Sequence, residues 1–160
     1  MNPTLLIVYD SGTGNTEKMA FAVAEGVKAQ GATAIVKKAD QTTLEDLLEA
    51  DGIIVGSPTY YGLMSAKVKD LFDRSVEIHG KLTGKVGAAF TSAGGTATGA
   101  ETTLLSILEA LLIHGMIIQG RADNKHYGAA CVGTPDEKAV NLCKELGERT
   151  AKLTAAMYDL

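Results

Sequence analysis

Short apolar runs alternate with helically spaced apolar positions along the whole chain. Runs at about 4–10, 33–38, 52–57, 85–92 and 116–120 have strand length and are bounded by turn-forming residues. Between them the spacing changes to the three-and-four rhythm of amphipathic helices, predicted near 16–29, 43–49, 65–78 and 100–113, and a last helix closes the chain. Five strands separated by helices predict a parallel sheet covered on both faces, because each parallel connection crosses over through a helix. The expected fold is a doubly wound α/β sandwich formed by a single domain over residues 1–160.

Two helices carry further information. Thr134-Pro135-Asp136-Glu137 reads as a capping box with Thr134 as the cap and Pro135 at the first helical position, and beyond it Ala139, Leu142, Cys143, Leu146, Leu153 and Met157 share one face. The segment Leu104 to Ile113 is apolar nearly all round, more than a helix covering one sheet face requires; such a helix is central in a larger core or at a subunit contact, and in a chain of this size the subunit contact is expected.

The first strand runs directly into Ser11-Gly12-Thr13-Gly14-Asn15-Thr16-Glu17. A strand that ends in glycines and hydroxyl residues and then enters a helix points free backbone N–H groups and the positive end of the helix dipole at one spot, where an anion can sit. The hydroxyls of Ser11, Thr13 and Thr16 and the amide of Asn15 add neutral donors, and no Lys or Arg lies in the loop. That composition suits a terminal phosphate monoester. A triphosphate-binding P-loop would need Gly-Lys-Ser/Thr, which is missing. A dinucleotide fingerprint would need a third glycine where Glu17 stands, and Asp40 lies further along than the usual spacing of about 20 residues for a ribose-binding acid. A plain strand-to-helix turn would need only one capping hydroxyl.

In open parallel sheets, ligands lie beyond the carboxyl ends of the strands. The loops after the first, third and fourth strands are therefore expected to form one site. The second of them, Ser57-Pro58-Thr59-Tyr60-Tyr61-Gly62, places two tyrosines beside Pro58 and Gly62, as a flat aromatic ligand would want. The third, Ser92-Ala93-Gly94-Gly95-Thr96-Ala97-Thr98-Gly99, is made of small residues that let backbone approach closely. A planar heterocycle carrying a phosphate fits all three.

The pattern of Ser11, Thr13, Gly14 and Thr16 resembles the FMN-phosphate loop of the flavodoxin family. Ser57 to Ser65, Ser92 to Glu101, His114-Gly115-Met116 and Tyr127-Gly128-Ala129 are similar to segments of the tryptophan-repressor-binding-protein-like NAD(P)H:quinone oxidoreductases, a flavodoxin-like branch. The resemblance implies strand order 2-1-3-4-5, FMN held without a covalent link, and often a tetramer. It implies NAD(P)H as donor and a quinone or similar acceptor as partner. It places Ser11 to Thr16, Pro58 to Gly62, and Ser92, Ala93, Gly94, Gly95 and Gly99 at the cofactor, and allows His114 as a flavin contact from the same or a neighbouring subunit. The chain departs from that branch in lacking its long segment before the third strand, in having no tryptophan, and in having Ile113-His114 where the branch tends to have a His pair.

Composition narrows the field. A formal charge of −4 argues against nucleic acid as a main partner. Cys131 and Cys143 have no partner motif for metal and are expected to be reduced, with Cys143 in the core. No secretory leader pattern precedes the first strand, so the cytoplasm is the expected location. His79 and His126 sit in loop-like contexts as solvent residues, and the plain reading of His114 is a helix-terminal His favoured by the dipole. No acid–base constellation is required, because a flavin carries its own redox chemistry. Neither ring-facing loop contains Asp or Glu, which favours an oxidoreductase over a very low-potential carrier, with an electron-transfer flavodoxin as the alternative. A flavin-bearing interaction module is a third class that the sequence leaves open.

Overall fold

The computed structural model describes residues 2–159. In chain order the elements are β1 (Thr4–Tyr9), α1 (Asn15–Ala29), β2 (Thr33–Lys38), α2 (Leu44–Glu49), β3 (Gly52–Pro58), α3 (Ala66–Arg74), β4 (Val86–Ala93), α4 (Ala100–Ile113), β5 (Ile117–Ile118), β6 (Ala129–Val132) and α5 (Glu137–Tyr158). The sheet runs β2-β1-β3-β4-β5 with every pair parallel, and β6 also pairs with β4. This is the flavodoxin-like order with one strand more than the sequence predicts. Among the described residues no helix is long and apolar enough to cross a membrane.

Strand alternation sorts the core into two layers. Leu5, Ile7 and Tyr9 face α1 and α5, and Leu6 and Val8 face the opposite layer with α3 and α4. The central strands β3 and β4 are buried throughout, as a doubly covered sheet requires, whereas edge strand β2 exposes Thr33, Ile35 and Lys38. Each fully buried side chain such as Phe90 or Ile54 contributes about 1.5–3 kcal/mol from removal of apolar surface from water.

The α1 and α5 helices touch backbone to backbone. A Cβ added at Gly26 would fall 2.0 Å from the Lys144 carbonyl oxygen, and one at Gly147 would fall 2.1 Å from the Val23 carbonyl oxygen. These glycines let α5 press α1 onto the sheet. On the other side of β1, the half-buried Lys85 donates to the carbonyls of Leu48 (2.6 Å) and Ala50, closing the carboxyl end of α2 just before β3 begins. Burial holds the Lys85 pKa below its ordinary value, and the nearby Asp51 charge opposes that shift.

Several boundaries differ from the sequence reading. The predicted strand 116–120 is interrupted: Val86 pairs with Ile117 and Gly87 with Ile118, and continuing that register would put Arg121 opposite Phe90. Ala129 stands there instead, so residues 119–128 bulge out and the strand resumes as β6. The last helix is capped by Asp136, not Thr134, because Asp136 Oδ1 accepts from the Ala139 amide at 2.8 Å. The predicted helix 65–78 is α3 followed by a tighter 3₁₀ turn over Ser75–Ile78. Asp40 lies in a 3₁₀ turn just after β2, exposed beside Lys67 at 3.5 Å. The nearly all-apolar α4 buries Leu104, Ile107, Leu108 and Leu111 and leaves Leu105, Leu112 and Ile113 exposed.

The helix contact is directly testable. Gly147→Ala forces a methyl into the Val23 carbonyl and is expected to lower unfolding free energy by about 1–3 kcal/mol in urea denaturation. An Ala as stable as the wild type would show that the α1–α5 contact is not close-packed.

Candidate functional site

The three loops meet at the carboxyl edge of the sheet, around a cleft of about 330 Å³. The first loop contributes Gly12, Thr13, Asn15 and Thr16 to its lining; the second contributes Pro58, Thr59 and Tyr60; the third contributes Ser92, Ala93 and Gly94. Gly133, just beyond β6, completes the wall, and its amide donates to the Ala93 carbonyl at 2.9 Å. The sequence reading had no place for Gly133, because β6 was not expected.

The first loop is organised by Ser11. Its Oγ accepts from the amides of Gly14 (3.0 Å) and Glu17 (3.3 Å), and Gly14 at φ +96° carries the chain from the loop into α1. Thr16 is buried, and its hydroxyl shares a 2.7 Å hydrogen bond with Ser92 Oγ that ties the first loop to the third. Ser11 Oγ thus serves the fold as an acceptor, and the Thr16 hydroxyl serves it as the partner of Ser92. Thr13 and Asn15 retain free side chains, and among the described residues no protein acceptor takes the amides of Gly12, Thr13, Asn15 or Thr16. Unpaired amides at a helix start, in a loop without basic side chains, are an anion cradle.

Two more hydrogen-bond chains hold the other loops. Thr91 Oγ1 donates to the Ser57 carbonyl at 2.7 Å and lies 2.8 Å from Thr59 Oγ1, while Ser57 Oγ donates to the Pro58 carbonyl and accepts from the Ser65 amide. Tyr60 and Leu63 exchange backbone hydrogen bonds around Tyr61 (φ +50°) and Gly62 (φ +74°), a tight two-residue turn of the primed type. Tyr61 therefore sits in the left-handed region, which disfavours any residue with a Cβ, with its side chain fully exposed. Tyr60 turns inward: a Cβ on Gly12 would meet its Oη at 2.7 Å. Gly99 approaches Gly62 so closely that a Cβ would fall 2.6 Å from the Gly62 Cα, which locks the second and third loops together. Met64 N donates to Ser106 Oγ at 3.1 Å, fastening the second loop to α4.

Ser11, Gly14, Tyr61, Gly62, Gly95 and Gly99 shape or flank the cleft without lining it. His114 is at the wrong end. It follows the carboxyl end of α4, whose fourteen residues put it about 20 Å along the helix from Gly99. There Ser75 Oγ donates to the Phe72 carbonyl at 2.6 Å, so it accepts from His114 Nε2–H at 2.7 Å, and Nδ1 is buried without a partner. Burial, assisted by the neighbouring His79, lowers the His114 pKa. His114 thus does not line the cleft that the three loops of its own subunit form.

Beneath the first loop, Tyr9 Oη donates to Glu17 Oε2 at 2.5 Å. Burial and the Glu17 carboxylate push the Tyr9 pKa up to about 12, so the phenol remains a donor throughout the neutral range. Cys131 and Cys143 are free and buried, and among the described residues no group of His, Cys, Asp and Glu side chains is placed to hold a metal.

A parallel doubly wound sheet with an anion cradle after β1, an aromatic turn after β3 and a bare backbone loop after β4 defines a protein that binds a phosphorylated ring compound. The flavodoxin family profile matches residues 7–114. The "Flavodoxin" of Aquifex aeolicus is 41% identical over 97% of this chain and 89% of its own length. The "NAD(P)H dehydrogenase (quinone)" of Archaeoglobus fulgidus is 37% identical over 93% of this chain and 96% of its own. Among solved structures, a flavodoxin, WrbA-like protein from Agrobacterium tumefaciens superposes with a TM-score of 0.84 at 25% identity, covering 98% of this chain and 99% of that one. The chain belongs to the flavodoxin family, whose cofactor is FMN. The free amides of Gly12, Thr13, Asn15 and Thr16, in a loop without basic side chains, fit that cofactor's phosphate.

The two threonines should separate by assay. Thr13→Ala is expected to weaken FMN by about 1–3 kcal/mol, leaving riboflavin affinity and the melting temperature unchanged. Thr16→Val, which strands the buried Ser92 hydroxyl, should lower unfolding free energy by about 1–3 kcal/mol. His114 gives a pH test. Its folded pKa lies below the unfolded value near 6.5, so the unfolded chain binds the proton more readily as pH falls below that value, and stability drops until the folded pKa is passed. Melting temperature should fall more between pH 8 and pH 5.5 in the wild type than in His114→Gln; equal falls would remove His114 as a source.

Proposed function

We propose that the protein is an FMN-dependent oxidoreductase that takes electrons from NAD(P)H and passes them to a quinone or similar acceptor. The observation that carries this reading is the lack of charge in both ring-facing loops and the lack of bulk in the third. Ser57 to Ser65 and Ser92 to Gly99 contain no Asp or Glu, and the third loop presents no side chain larger than Thr. Bound flavin supplies hydride and electron transfer itself. The chain holds and exposes it. The amides of Gly12, Thr13, Asn15 and Thr16 would take the phosphate, assisted by the side chains of Thr13 and Asn15. Tyr60 or Tyr61 would lie against the ring, while Ala93, Gly94 and Gly95 bring backbone to its edge and leave one face open to donor and acceptor in turn. Without a carboxylate beside the ring, nothing in these loops opposes the negative charge added on reduction.

The name of the Archaeoglobus relative supports this reading. The name of the Aquifex relative, with higher identity, supports a second one, an electron carrier that docks redox proteins and has no turnover of its own. Exposed Leu105, Leu112 and Ile113 on α4 favour a second copy of the chain against that helix, as a homodimer or homotetramer.

FMN-loaded protein should oxidise NADH or NADPH in the presence of a benzoquinone with ping-pong kinetics, and light scattering should give a dimer or tetramer. Leu112→Lys should lower assembly and turnover together. A monomer that does not oxidise NAD(P)H would make the carrier the better reading.

A further inference from the structure

Glu17 is the third residue of α1, and its position has a chemical consequence for the anion cradle. An acidic residue there ordinarily turns back and accepts from the amide of the capping residue. Such a box closes α2 of this same chain: Thr43 Oγ1 accepts from the Asp46 amide, and Asp46 Oδ2 accepts from the Thr43 amide at 2.9 Å. At α1 the box does not form. The Gly14 amide goes to Ser11 Oγ, and the Glu17 carboxylate is drawn to Tyr9 Oη instead. Tyr9 is 4% exposed at the end of β1, so its hydroxyl is fixed by the sheet. Glu17 is only half-buried.

We infer that Tyr9 is a positioning residue for the cofactor phosphate: its hydroxyl holds the Glu17 carboxylate against the sheet and keeps an internal anion from competing for the amides of Gly12, Thr13, Asn15 and Thr16. The inference rests on reading those amides as the phosphate site. Glu17 is tethered next to the cradle, so once released it competes as an intramolecular ligand at high effective concentration. It also adds like-charge repulsion to the incoming dianion. Tyr9 does not line the cleft and acts through Glu17 alone. Asp10, which precedes the loop, is the same in every variant below, so its effect cancels.

The test compares wild type, Tyr9→Phe, Glu17→Gln and the double variant for affinity toward FMN and toward riboflavin, by quenching of flavin fluorescence at pH 7. Tyr9→Phe should weaken FMN on the order of tenfold with riboflavin unchanged. Glu17→Gln should bind FMN at least as tightly as wild type, and the double variant should return to the Glu17→Gln value. The inference is overturned if Tyr9→Phe weakens both flavins equally, if the double variant stays as weak as Tyr9→Phe, or if Glu17→Gln alone weakens FMN. The last outcome needs no Tyr9 variant, so it decides the matter even where Tyr9→Phe folds poorly. Wild type that binds riboflavin as tightly as FMN would overturn the phosphate reading itself, a result distinct from the other three.

Discussion

Ser11 Oγ accepts from two amides at the start of α1, those of Gly14 and Glu17, and the amides around them are left without protein partners. One hydroxyl thus does the capping that a helix start needs, and the remaining donors converge on a single anion site. The loop can keep that geometry without a ligand because its ends are fixed: β1 is paired on both sides, and α1 is pressed onto the sheet by α5 at Gly26 and Gly147. Backbone donors on fixed elements bind an anion without a large ordering cost.

The remaining loops are tied to that point. Thr16 joins Ser92, Thr59 joins Thr91, and Gly99 rests against Gly62, so the first loop, the aromatic turn and the bare third loop are held together. Much of the polar chemistry at this edge serves the scaffold. Ser57 and Thr91 are fully buried and spend their hydroxyls on neighbouring backbone. The strained turn at Tyr61 is the exception, an exposed aromatic held in an unfavourable backbone region at the rim of the cleft.

Much of this was legible from residue pattern. Apolar runs of strand length separated by amphipathic stretches specify a parallel sheet, and the carboxyl ends of its strands then specify which loops meet. What pattern could not supply was the use to which each donor is put. Ser11, Thr13 and Thr16 look alike in sequence, yet one caps the helix, one is free and one bonds Ser92, a residue 76 positions away. The split of the fifth strand was hidden for a related reason: Ala129 to Val132 is short and flanked by turns, and only pairing with Phe90 to Ala93 makes it a strand. Thr134 and Asp136 can both cap a helix, and the choice falls to Asp136, whose side chain reaches the Ala139 amide. His114 precedes a Gly-Met pair that suggested a flavin contact, but it lies at the far end of α4, buried beside Ser75.

The central claim is that backbone amides of one loop hold the cofactor's phosphate, and amide resonances report on it directly. In ¹⁵N-labelled protein titrated with FMN and, separately, with riboflavin, FMN should move the amides of Gly12, Thr13, Asn15 and Thr16 strongly downfield, as hydrogen bonds to a dianion do. Riboflavin should move the resonances of Tyr60, Tyr61 and Gly94 and leave those four nearly in place. Equal shifts of the four with both ligands, or none with FMN, would contradict the account.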